Sequence, residues 1–240
     1  MIEKLRAKCV IIIFITAVLC GVYAYFPALT DRYVISDDAR ILLYWMYQFQ
    51  DPSLFPHDLL VTYSKDYTPW GYDFLFYICS KLGDPLLSGH TITIILLGVG
   101  AVYMFKLVRE FAGEFAGIFS AVCFMFSSSI LSSMAGGMTR TFAWPLLVMF
   151  LYFLIRRKEI KGGIVLVLQC LFYPVVFLIS FFTYALSFLK WPSKVLFLDT
   201  SKRRWIIIIV SALLCATILL TKYVMPHDPE IGSLYSMSQL

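Results

Sequence analysis

Long apolar blocks, separated by short charged clusters, run through almost the whole chain. A membrane-crossing helix needs about 20 mainly apolar residues, and the first block, residues 9–26, is close to that length. Later blocks predict membrane segments over about 86–108, 114–131, 142–155 and 205–220. The stretch 163–189 is interrupted by "FYPVV". Proline ends or kinks a helix, so the chain is expected to turn back near Tyr173–Pro174 in two short helices, giving seven membrane segments. Neither half alone covers a bilayer core of about 30 Å, so both must be buried among other helices or sit in thinned bilayer.

A different pattern marks the long polar interval 27–85. Ile41, Leu42, Trp45, Met46 and Phe49 recur at helical spacing and form one apolar stripe. Ser36 or Asp37 is placed to cap this helix, and acidic residues in its first turn suit its dipole. Asp37 and Asp38 lie four residues before Ile41 and Leu42, so they are expected to continue the buried column. The helix is then expected to lie flat on the membrane surface, ending at Asp51-Pro52, with Pro56 keeping the next residues extended.

Composition places these elements in one class. Of the 240 residues, 60% are hydrophobic and 15% charged, and the mean hydropathy is +0.80. Ordinary soluble domains are about 25% charged. The chain is therefore expected to be a single all-α, polytopic membrane bundle, with amphipathic helices in its first outer loop.

Charge then orients it. The net charge of +5 resides largely at the ends of apolar runs, where the positive-inside rule puts basic residues. That explains the charge without nucleic acid. Lys4, Arg6 and Lys8 place the N-terminus in the cytoplasm, and "RRKEIKG" and "SKRR" mark further cytoplasmic ends. A turn at Tyr173–Pro174 also makes Lys190, Lys194, Lys202, Arg203 and Arg204 cytoplasmic. It leaves fourteen of the 20 basic residues inside, whereas one span through 163–189 leaves ten. Outside lie the loop 27–85, the short loop 132–140 and the C-terminal tail. An uncleaved first segment is favoured over a signal peptide, because its apolar run is long enough to span.

Several chemistries are unsupported by motif. The six cysteines include no CxxC pair, so neither a zinc site nor a disulfide framework is indicated. There is no Walker loop, Rossmann glycine pattern or HExxH. What remains is the pair Asp37 and Asp38. One helix cap needs one carboxylate, and the second is a candidate general base or metal ligand. His57 and Asp58 could supply a metal ligand or be exposed loop residues. "YSKDYTPWGYDF" holds Asp66 and Asp73 among aromatics, a pattern suited to sugar stacking or to an interfacial aromatic belt. His90 begins a membrane segment and is read as a hydrogen-bonded cap residue.

A basic N-terminus, one span, and a long outer loop opening with paired acids before an amphipathic helix resemble the GT-C superfamily. These integral membrane glycosyltransferases use polyprenyl-phosphate sugars and include protein O-mannosyltransferases and aminoarabinose transferases. "SDDARILLYWMYQFQDPSLFPHDLL", "GGMTRTFAWPL" and "QCLFYPVVF" look like a bacterial branch, and the likeness covers about residues 34–222. It implies a bacterial inner-membrane enzyme that takes a polyprenyl-phosphate-linked sugar and passes it to an acceptor. It also implies that Asp37 or Asp38 deprotonates the acceptor hydroxyl or helps bind a divalent metal ion. Asp38 is favoured for that role, since Asp37 or Ser36 is the better placed cap. Arg140, at the outer mouth of the third and fourth segments, is implied to contact the lipid phosphate, a role its planar fork suits. Gly136 and Gly137 would let the backbone approach that ligand closely, or simply form a turn. The second outer loop lacks the acidic motif of the oligosaccharyltransferase branch, and family members usually continue beyond this length, so the chain reads as an N-terminal module. A transporter or channel, or a non-catalytic truncated relative, is the alternative.

Overall fold

The apolar blocks fold as helices that fold back on one another. The computed structural model describes residues 2–31, 33–187, 189–190, 197–198 and 202–224. It is all-α apart from a two-residue antiparallel pairing of β1 (Leu189–Lys190) with β2 (Phe197–Leu198). Among the described residues, three helical stretches are long and apolar enough to cross a membrane: Arg6–Ala24, Pro85–Phe126 and Arg204–Tyr223. They belong to α1 (Ile2–Ala24), α6 (Pro85–Phe126) and α11 (Lys202–Leu219), the last continuing as a π-helical turn, Leu220–Val224. Between α1 and α6 lie α2 (Phe26–Thr30), α3 (Asp37–Leu42), α4 (Leu59–Tyr67) and α5 (Trp70–Leu82). After α6 come α7 (Ser128–Met134), α8 (Ala143–Ile155), α9 (Glu159–Phe172) and α10 (Pro174–Leu186).

The 42-residue α6 is not one rod. Gly113 has φ +84° and ψ 179°, a conformation essentially restricted to glycine. Beyond it the chain reverses. A Cβ on Gly117 would lie 2.9 Å from the carbonyl oxygen of Phe105, and one on Gly100 would lie 2.7 Å from the Phe124 ring. Residues 24 positions apart on a straight helix would be about 36 Å apart, so the arms 85–112 and 114–126 pack side by side. The two segments expected over 86–108 and 114–131 are these arms, but the second ends earlier. It stops at Phe126, because Ser127 becomes the N-cap of α7 and its hydroxyl accepts the Ile130 N–H at 3.5 Å. Among the described residues nothing packs within 4 Å of a Cβ built on Gly113, so Gly113→Ala tests backbone conformation. It should destabilise the protein by about 1–3 kcal/mol, seen as a lower melting temperature in detergent. Gly162→Ala, also in open space but inside α9, should leave stability unchanged or raise it slightly.

The chain also turns back at Tyr173–Pro174, where α10 begins on the proline. The far end of α10 returns to the start of α9, with the Tyr184 hydroxyl donating to Glu159 Oε2 at 2.7 Å. Arg204 of α11 pairs with the same carboxylate at 3.1 Å. Lys194 lies outside the described residues, as do the side chains of Lys190, Lys202 and Arg203.

These reversals sort the chain into two ends. At one end Arg6 pairs with Glu114 and Arg156 with Glu110, each at 3.0 Å, alongside the Glu159–Arg204 pair. At the other, the Tyr25 hydroxyl donates to the Leu131 carbonyl at 2.7 Å, and the first-loop helices fold over the tips of α6, α9 and α11. Among the described residues, two clusters fill the interior. Ala17, Leu97, Phe105 and Phe124 lie between α1 and the arms of α6. Trp45, Met46, Tyr72, Phe76, Phe142 and Leu166 lie between the first-loop helices and α8–α9. The opposite face of α1 is bare and apolar, with Ile12 and Leu19 both more than 60% exposed, as a lipid-facing surface should be.

Candidate functional site

Two successive glycines tie the first loop to the rest. Gly136 and Gly137 have φ +85° and +67°, the left-handed region that glycine enters without steric cost. Their missing side chains leave space that this protein's own atoms fill. A Cβ on Gly136 would lie 2.6 Å from Ser36 Oγ and 3.2 Å from Ala39 Cβ, and one on Gly137 would collide with the backbone of Gly89. The Tyr72 hydroxyl donates to the Gly137 carbonyl at 2.8 Å. The hydroxyls of Thr141 and Thr93 both donate to the Met134 carbonyl, at 2.8 and 3.3 Å. The short loop 132–140 is therefore pinned against α3, α5 and the start of α6.

That packing brings Arg140 to Asp38. Arg140 Nη1 lies 2.7 Å from Asp38 Oδ2, and the two side chains are 39% and 52% exposed. Exposed ion pairs contribute only about 0–1 kcal/mol, so this contact does little for stability. Its interest lies in what the guanidinium has left over. Arg140 Nε is buried and has no hydrogen-bond partner among the described residues. A permanently charged planar fork, partly exposed and holding one carboxylate, is fitted to exchange that partner for another oxyanion.

The first-loop helix departs from the expected single amphipathic stripe. It is α-helical only over Asp37–Leu42 and then becomes a 3-10 helix, Tyr44–Phe49. The change from 3.6 to 3.0 residues per turn shifts the phase of the buried face. Ala39, Leu43, Trp45 and Met46 are buried, whereas Ile41 is 47% exposed. Asp38 accordingly does not continue a buried column but stands at the rim, where it meets Arg140. Ser36 occupies the N-cap position without a side-chain capping bond, because its buried hydroxyl is pressed onto Gly136. Asp37 opens α3, but its carboxylate lies outside the described residues.

The other sequence candidates fall elsewhere. Asp58 caps α4, its Oδ1 accepting the Leu60 and Val61 N–H groups at 2.8 and 3.3 Å. The Tyr44 hydroxyl lies 3.5 Å from the same oxygen, and burial with the nearby carboxylate pushes its phenol up. His57, at φ +59°, forms the turn before that cap. No group of three or more His, Cys, Asp or Glu residues could hold a metal ion among the described residues. His90 is not a cap. Asp84 caps α6 through the Leu86 and Leu87 N–H groups, and His90 lies further along, buried, with Nδ1 unpartnered among the described residues.

One charged group escaped the sequence reading. Lys222, in the π-helical turn after α11, is 7% exposed. Its ammonium lies 2.9 Å from Asp73 Oδ2, donates to the Lys65 carbonyl at 2.8 Å, and sits 4.9 Å from the Trp70 ring centre. Burial pushes the Asp73 carboxyl above its usual range, while Thr68 and Lys222 pull it back. A lysine closing an apolar run looks like an interfacial anchor, and its partner stands 149 positions away. The only hint was an aspartate amid the aromatics of "YSKDYTPWGYDF".

Compared with protein-family models, curated proteins and solved structures, the chain matches none.

Proposed function

We propose that this protein transfers a sugar from a polyprenyl-phosphate donor to an acceptor hydroxyl at the outer face of a bacterial inner membrane, in the manner of GT-C glycosyltransferases. The observation that carries this reading is the Asp38–Arg140 pair at 2.7 Å. It joins the two loops that the resemblance singles out, at the end of the bundle opposite the Arg6–Glu114 and Arg204–Glu159 pairs. On the positive-inside rule that opposite end is cytoplasmic, so Asp38 and Arg140 face outward. The arms of α6 and the reversal between α9 and α10 support seven membrane segments.

In this reading the donor phosphate binds Arg140 and competes with Asp38 for the guanidinium. Asp38 is then free to accept the acceptor's proton. The acceptor oxygen bonds to the sugar's anomeric carbon as the carbon–phosphate-oxygen bond breaks, and polyprenyl phosphate leaves with its charge held by Arg140. A divalent ion beside the phosphate would supply further charge stabilisation. The described residues do not assemble its ligands, and Asp58 is committed to a helix cap.

Arg140→Lys keeps the charge but loses the fork. Binding of a polyprenyl phosphate to the purified protein in nanodiscs should weaken by about 1–2 kcal/mol, the scale of a charge-assisted hydrogen bond. Undiminished binding by Arg140→Ala would reduce this residue to an interfacial anchor.

A further inference from the structure

The end of the bundle that carries Arg140 also opens, at Thr139, into a cleft of about 210 Å³. Its walls include Tyr67 from the end of α4, Pro69, Tyr173 and Pro174 from the turn between α9 and α10, and Tyr223 from the π-helical turn. Thr139, the residue before Arg140, also lines it. We infer that this cleft is a subsite for a neutral sugar ring, the one carried by the lipid donor, and this rests on the lipid-sugar reading above.

Three observations converge on that ligand. An interfacial aromatic belt explains tyrosines at a membrane surface, but not three from separate segments gathered around one hollow. Tyrosine rings offer apolar faces with a polar tip, matching a pyranose, whose C–H faces are apolar and whose edge carries hydroxyls. Among the described residues no charged side chain lines the cleft, so those walls are not fitted to the phosphate itself. The hydroxyls of Tyr67, Tyr173 and Thr139 have no hydrogen-bond partner among the described residues, which leaves donors and acceptors for a polyhydroxylated ligand. The Tyr223 hydroxyl instead donates to the Tyr67 carbonyl at 3.3 Å, and neighbouring Lys222 is anchored on Asp73. Those bonds hold two of the rings in place.

Position identifies the donor rather than the acceptor as the source of the sugar. Thr139, which lines the cleft, immediately precedes Arg140, so in the lipid-sugar reading the sugar attached to an Arg140-bound phosphate is the nearest candidate occupant. Tyr67 and Tyr173 are therefore assigned as sugar-specificity residues.

The test compares two lipids and a set of free sugars on full-length protein in nanodiscs. The lipids are polyprenyl phosphate and its hexosyl ester, and the free sugars are methyl hexopyranosides followed by saturation-transfer NMR. Tyr67→Ala and Tyr173→Ala should each weaken hexosyl-lipid binding about 3–10-fold, the scale of an aromatic contact. Both should leave bare polyprenyl-phosphate binding unchanged and lose the glycoside signal. Tyr67→Phe, which keeps the ring, should retain most of the affinity and reports on folding. Equal hexosyl-lipid affinity together with an unchanged glycoside signal in the alanine variants overturns the subsite. Loss of glycoside signal without loss of hexosyl-lipid affinity overturns its assignment to the donor. If the unmodified protein binds glycosides in a Tyr67-dependent way but neither lipid, the cleft stands as a sugar site and the lipid-phosphate reading fails. Binding of no probe at all sinks both.

Discussion

Asp38→Asn is expected to cut sugar transfer by about 10²–10⁴-fold, the usual worth of a positioned general base. The substitution keeps the shape of the side chain, and Asn can still accept a hydrogen bond from Arg140. On the proposed mechanism it removes the negative charge that takes the acceptor's proton. Stability should barely change, because the Asp38–Arg140 pair is half exposed on both sides and such pairs contribute little. Binding of polyprenyl phosphate should hold or tighten, since the phosphate no longer competes with a carboxylate for the guanidinium. Asp37→Asn should be mild by comparison. If both variants transfer at the parental rate, the two aspartates serve structure alone.

The second large effect concerns stability. Lys222→Met should destabilise the protein by about 3–5 kcal/mol at neutral pH, because it strands Asp73 as a buried carboxylate without its cation. The loss should shrink on acidification. Burial already raises the folded-state pKa of Asp73, so ionising it works against folding. This favourable contribution of the protonated form is full below the unfolded pKa of about 3.9 and is lost as pH rises through the raised folded value. Removing Lys222 takes away an influence that lowers that value, so the variant should recover most stability in acid. Replacing both partners, as in Lys222→Met with Asp73→Leu, should also restore much of it, because no charge is then left buried. Thermal unfolding in detergent across the acid range measures this. A stability deficit that does not vary with pH would show that Lys222 acts through packing alone.

Local signals carried much of the architecture. The apolar blocks located the helices, the cluster around Lys106–Glu114 marked the reversal in α6, and Pro174 marked the next one. Asp38 and Arg140 were both legible as candidates, since each is a charged residue beside an apolar element. Their contact was not, because it depends on Gly136 and Gly137 meeting Ser36 and Gly89 across the fold. The stripe from Ile41 to Phe49 misled because its spacing fits an α-helix, whereas burial of Leu43 and Trp45 is satisfied by a 3-10 turn. The Lys222–Asp73 pair was invisible for a similar reason: nothing local in either segment specifies the other.

The most direct measurement gives the full-length protein in nanodiscs a radiolabelled polyprenyl-phosphate sugar and a crude acceptor fraction, and follows the label. The expected result is passage of the label from lipid to acceptor, abolished by Asp38→Asn and strongly reduced by Arg140→Ala. Retention of all label on the lipid, with a correctly folded parent that binds the donor, would contradict glycosyl transfer at the Asp38–Arg140 site.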